Sequence, residues 1–145
     1  METGFEHLHS LLRWILLLLL VFVVSKAVIG NNSRFFEKDR KAALFTMIFA
    51  HLQLLIGLAL YFMRGYHNLL GEMSNAAIRF RTLEHPLGML IAIILITMGY
   101  KRIKAGQSDA AKFKAVKVFY GIALIIILLS IPWPFREGMA HYGWF

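Results

Sequence analysis

Two histidines at matching heights on separate apolar runs are the residues of this chain best suited to chemistry. His9 precedes Lys26 by 17 residues, about 25 Å of helix at 1.5 Å per residue. His85 precedes Lys101 by 16 residues, about 24 Å. If the two lysines mark one membrane boundary, both imidazoles lie at one level near the opposite surface. Two imidazoles on facing helices can ligate one metal from opposite sides, as bis-His haem ligation requires. Gly88 lies about one turn below His85, and Ala92 another turn down. Small residues there would let a flat macrocycle approach the backbone. Arg13 is four residues below His9 and projects from nearly the same helix face. A buried guanidinium needs an anion, which a haem propionate, Glu84 or Glu6 could supply. The expected site is therefore His9 and His85 as metal ligands to haem b, with Arg13 and Gly88 beside them and His51 in reserve.

His51 lies ten residues beyond Lys41, roughly 15 Å up its helix and close to mid-bilayer. A histidine at that depth needs a polar partner. A deeper metal or haem, a quinone, or an interhelical hydrogen-bond network would each serve. Gln53 points about 200° away from His51 around the helix, so the two serve different neighbours. Plainer readings stand beside the ligand reading. A histidine at a helix start is often a cap or interfacial anchor, and Arg13 could snorkel outward beside Trp14. His7 and His67 are expected to face solvent, and His141 lies in the tail. Met47 and Met89 read as packing.

The elements that must position these residues are four apolar runs, Leu8–Val28, Ala42–Met63, Pro86–Tyr100 and Val118–Trp133. A bilayer core of about 30 Å needs about 20 helical residues, so the two shorter runs must borrow flanking residues. In hydrocarbon every backbone polar group needs an internal partner, which makes each run a helix. The expected fold is an all-α membrane protein, an up-down four-helix transmembrane bundle forming one domain over residues 1–145.

Composition agrees. Aliphatic and aromatic residues form 59% of the 145 residues, well above the soluble norm. The formal charge of +8 flanks the apolar runs, so the lipid bilayer is the expected partner and nucleic acid is not. With no cysteine, the chain has no disulfide, thiolate metal site, thioether-attached haem or cysteine nucleophile. No phosphate-binding glycine loop, nucleophile–base pair or zinc-peptidase motif is present.

Lys26 closes the first run and Arg34, Lys38, Arg40 and Lys41 follow it; Lys101, Arg102, Lys104, Lys112, Lys114 and Lys117 follow the third. The other side has Arg64, Arg79, Arg81 and Arg136. By the positive-inside rule both termini face outward. Trp14, Trp133 and Trp144 then fall at the outer interface. The first run has no basic stretch before it, so it reads as a retained helix rather than a signal peptide. Leu69, Leu70, Met73, Ala77 and Phe80 are expected in a short surface helix within 64–84. The aromatic tail, Pro134 to Phe145, is expected to fold back along the outer face. His9-Ser10-Leu11-Leu12 and His85-Pro86-Leu87-Gly88 form a faint internal repeat.

The stretches His9-Ser10-Leu11-Leu12-Arg13-Trp14, Ala50-His51-Leu52-Gln53-Leu54-Leu55-Ile56-Gly57-Leu58, Leu83-Glu84-His85-Pro86 and Ile131-Pro132-Trp133-Pro134-Phe135 resemble small four-helix bacterial membrane proteins labelled cytochrome b-like. The likeness spans nearly the whole chain, one patch per helix. It implies a b-type haem and electron transfer in the bacterial cytoplasmic membrane, with His9, Arg13, His51 and His85 as the polar positions. Quinone or a respiratory complex would be the partner. Two other functions stay open from the residues: haem or copper handling without electron transfer, and a cofactor-free structural subunit.

Overall fold

A computed structural model describes residues 2–30 and 33–135 of the chain. Four long helices carry the fold: α1 (Glu2–Ile29), α2 (Glu37–Met63), α3 (Ala76–Ala105) and α4 (Asp109–Ser130). All four are long and apolar enough to cross a membrane. The molecule is an all-α four-helix bundle of a multi-pass membrane protein.

Each helix buries one stripe. On α4 it is Phe113, Val116, Tyr120, Ala123 and Ile127, and on α1 it is Leu16, Leu20, Val23 and Ala27. These intervals of three and four residues make the seam along which helices interdigitate. The buried stripe of α2 is different: Ala43, Thr46, Ala50 and Gln53 are small or polar. Small side chains let neighbouring backbones approach closely. The Tyr120 hydroxyl crosses the core and donates to the Ala43 carbonyl at 3.0 Å. The outward faces are apolar, with Leu18, Leu55, Ile125 and Leu129 all well exposed, as lipid contact requires.

The starts of α1 and α3 meet the ends of α2 and α4 at one end of the bundle. There His9 lies against Gly57, and His85 bonds to Ser130. At the other end Lys26 of α1 is ion-paired with the buried Asp39 of α2. Asp39 also accepts the Phe36 N–H at 2.8 Å, which satisfies one of the orphan donors at the start of α2.

The short helix expected within 64–84 is not a separate element: its second part, from Ala76, is continuous with α3. A short 3₁₀ turn, Tyr66–Leu69, follows α2, and α3 begins at Ala76, ten residues before the apolar run that marked it. Asn75 starts it by accepting the N–H groups of Ala77 and Ile78 at 3.0 and 3.2 Å. Polar Arg79, Arg81 and Glu84 masked this first stretch as a loop. The tail expected over Pro134–Phe145 lies outside the described residues from Arg136 onward, as do His141 and Trp144. Trp133 is described: it packs edge-on against Trp14, ring centres 6.2 Å apart.

Candidate functional site

His9 and His85 come together. Their ring centres lie 6.4 Å apart with the planes at 73°. Each reaches this point through a local feature of its helix.

For His85 the feature is a π-helical turn over Phe80–Glu84. Pro86 has no N–H, so it cannot bond back along the helix to the Thr82 carbonyl. The helix widens instead, and the His85 N–H donates five residues back, to Phe80. The Tyr61 hydroxyl of α2 donates to the abandoned Thr82 carbonyl at 3.2 Å. Single π turns in α-helices are frequent at functional sites. Here the turn immediately precedes the histidine whose direction it sets.

The His85 ring is then fixed by its own nitrogen. Nδ1 donates to the Ser130 carbonyl of α4 at 2.7 Å. A carbonyl only accepts, so Nδ1 carries the proton and Nε2 keeps its lone pair. Anchoring of the far nitrogen by a carbonyl is how proteins orient a metal-binding imidazole.

His9 lies against α2 where the helix has no side chain: a Cβ on Gly57 would sit 3.2 Å from His9 Cε1. The Gln53 amide, one turn away, donates to the His9 carbonyl at 2.9 Å and fixes the α1 backbone there. His9 Nδ1 and Gln53 Oε1 are both buried without a hydrogen-bond partner. Buried polar atoms of this kind are costly and call for an explanation such as a bound group.

Both histidines line a cavity of about 870 Å³, whose walls include Arg13, Gln53, Gly57, Tyr61 and Met89. Cofactor pockets run from about 300 to 1,000 Å³. The small inner stripe of α2 leaves this space open: Ala50, Gln53 and Gly57 face it where bulky residues would fill it. Leu58, Leu83, Leu87 and Leu90 also line it and are themselves exposed on the outside of the bundle. The cavity therefore extends to the lipid-facing side between α2 and α3.

The separation of the rings has chemical content. A metal–imidazole bond is about 2.0–2.1 Å, the value for zinc. A five-membered ring with sides near 1.33 Å has its centre about 1.1 Å from each vertex. Two imidazoles on opposite sides of one metal ion, with the bonded nitrogens facing each other, would thus have ring centres about 6.2–6.4 Å apart. The observed 6.4 Å has that value. Among the described residues no cluster of three or more His, Cys, Asp or Glu side chains could hold a metal ion. A bare ion at this pair would find two protein ligands, where a structural zinc takes four. A porphyrin supplies four nitrogens of its own and leaves two axial positions to fill.

Of the other expected residues, Arg13 lines the cavity, its guanidinium 5.4 Å from the Trp14 ring centre. Of the anions expected near it, Glu84 is paired with Arg79 and Glu6 with Arg64. Gly88 serves a different neighbour from the one expected. A Cβ there would lie 2.2 Å from Ser130 Oγ, so its missing side chain admits α4 rather than a macrocycle. The opening toward the histidines comes from Gly57. His51 is not brought to the pair. It is exposed on the outer face of α2, with Nδ1 donating to the Met47 carbonyl at 2.8 Å. Sequence reasoning passed over Tyr61, Arg64 and Arg81 as site residues. One signal was available for Tyr61: Pro86 leaves a carbonyl four residues back that requires an outside donor.

Comparison with protein-family models, curated proteins and solved structures found no match to this chain.

Proposed function

We propose that this protein is a b-type haem-binding membrane protein that transfers electrons, with His9 and His85 as the residues that would hold the haem iron. The observation that carries the reading is the histidine pair itself. Its 6.4 Å ring separation suits opposite-side ligation, and it lines a cavity of cofactor size. The residues present fit the group. His85 offers Nε2 because Nδ1 is engaged by Ser130. His9 presents a buried Nδ1 without a hydrogen-bond partner, as does Gln53 at Oε1 on the wall of the same cavity. With no cysteine in the chain, attachment is non-covalent.

When bound, haem supplies a one-electron couple whose potential follows axial ligation, burial and charge. The chain's own work is to orient the two imidazoles, cover His85 with the Phe80 ring, and line the cavity with apolar Met89 and Ile93 and with basic side chains. The extension between α2 and α3 toward the bilayer favours a lipid-soluble partner, and quinone is the proposed one. A respiratory complex is the second proposed source or acceptor of electrons.

Protein purified in mild detergent from haem-replete cells is expected to be coloured, with a b-type reduced-minus-oxidised spectrum and about one haem per chain. A colourless preparation that takes up no added haem would overturn the proposal.

We further propose the cytoplasmic membrane of a bacterium as its location, with both termini outside. The Lys/Arg bias supports the orientation. Cysteines placed at Ser33 and Ser108 are expected to resist an impermeant maleimide in intact cells and to react after permeabilisation. Ready labelling of both in intact cells would invert the topology.

A further inference from the structure

The charge around the cavity is one-sided. Among the described residues that line it, Arg13, Arg64 and Arg81 face one carboxylate, Glu6. The formal charge of the lining is thus +2 with histidines neutral.

Two of the three arginines form a unit. Gly65, at φ 64°, turns the chain at the end of α2 in a left-handed conformation that suits glycine. The turn delivers Tyr66 to the cavity mouth. Arg64 Nη1 donates to the Tyr66 hydroxyl at 3.1 Å. The Arg81 guanidinium lies 6.0 Å from the centre of the same ring. Arg81 Nε also donates to the Ala77 carbonyl at 3.1 Å, which steadies its stem. Arg81 stands on the π turn, about one helical turn before His85. Tyr66 therefore stations one guanidinium at its hydroxyl and the other at its ring, both on the wall shared with the histidine pair. Arg13 differs: it lies a turn below His9 with its guanidinium over Trp14.

We infer that Arg64 and Arg81, stationed by Tyr66, are the seat of two carboxylates on the ligand of this cavity; resting on the haem reading, these are the two propionates. The two guanidiniums that Tyr66 holds match two carboxylates, one each. A guanidinium has five N–H donors in a fork that fits a carboxylate, so each arginine serves a propionate as well as its present partner. Glu6, ion-paired with Arg64, is the group a propionate shares or displaces. Arg64 and Arg81 would hold the carboxylates of the bound group, and Leu16, Met89 and Ile93 would line its apolar part.

The test uses full-length protein freed of haem and reconstituted in mild detergent, titrated with haem b and separately with its dimethyl ester. The ester keeps the iron and ring but masks both carboxylates. Arg64→Gln/Arg81→Gln is expected to weaken haem b binding about tenfold or more, the scale of losing charge-assisted bonds, and to leave ester binding within about threefold. Arg64→Lys/Arg81→Lys, which keeps the charge, is expected to recover most of the loss. Equal haem affinity in wild type and the Gln variant would overturn the inference and leave the haem reading intact. Equal losses for haem and ester would overturn it too, because the arginines would then act on the fold. Failure of wild-type protein to bind either compound would remove the haem reading and this inference with it.

Discussion

His9→Ala and His85→Ala proteins are each expected to lose the b-type band, while His51→Ala retains it. The two rings are 6.4 Å apart and share one cavity, whereas His51 faces outward and donates to Met47. Losing a group that merely orients a metal ligand costs roughly 10–100-fold in affinity, so losing a ligand outright should cost at least that. The two variants should also differ in a readable way. His85→Ala removes the hydrogen bond to Ser130 that ties α3 to α4, worth about 0.5–1.5 kcal/mol. His9→Ala breaks no hydrogen bond of its own ring. Thermal melting of the colourless proteins should therefore fall further for His85→Ala. Full haem retention in either alanine variant would exclude that histidine as a ligand.

Gly88→Ala is expected to have the largest effect on stability of any single methyl group near the site. The added Cβ would lie 2.2 Å from Ser130 Oγ and 3.0 Å from Ser130 Cβ. Rotating the hydroxyl relieves the first contact but not the second, so α3 and α4 must shift apart by a few tenths of an ångström. Overpacking of this kind costs about 1–3 kcal/mol. The separation also draws the Ser130 carbonyl from His85 Nδ1, so haem affinity should fall with stability. Ser130→Gly removes both clashing atoms. In a double-mutant cycle followed by thermal melting, it should recover most of the loss beyond its own small cost. Strict additivity of the two substitutions would show that Gly88 and Ser130 do not meet.

The height of the histidines was legible in the sequence because rise per residue is a constant of the helix. Counting from Lys26 and Lys101 put His9 and His85 at one level, and the structure places their rings side by side. The all-α bundle was legible because four apolar runs in lipid admit few alternatives. Azimuth was not legible. Which way a residue faces depends on how its helix is rotated, and that is settled by neighbours. Gly88 and Gly57 are the same residue type near the same level, yet one admits α4 and the other the His9 ring. The π turn at Phe80–Glu84 adds to the difficulty, since one extra residue per turn rotates everything before it relative to Pro86. His51 and Gln53 could not both face inward, and the sequence did not choose between them. The structure turns Gln53 in and leaves His51 out. The early start of α3 was hidden by Arg79, Arg81 and Glu84, which read as a polar loop yet lie on helix.

The bond from Tyr61 to the Thr82 carbonyl bears on the order in which this molecule is assembled. A lone third helix would carry at Thr82 a carbonyl that Pro86 cannot satisfy. Only the arrival of the second helix supplies the phenol that quiets it. The direction of His85 is thus a property acquired on helix association and not one the third segment brings from its own insertion. Capture of a ligand at this histidine would then wait on docking of the two segments, and pigment formed during biosynthesis would report completed tertiary assembly, chain by chain.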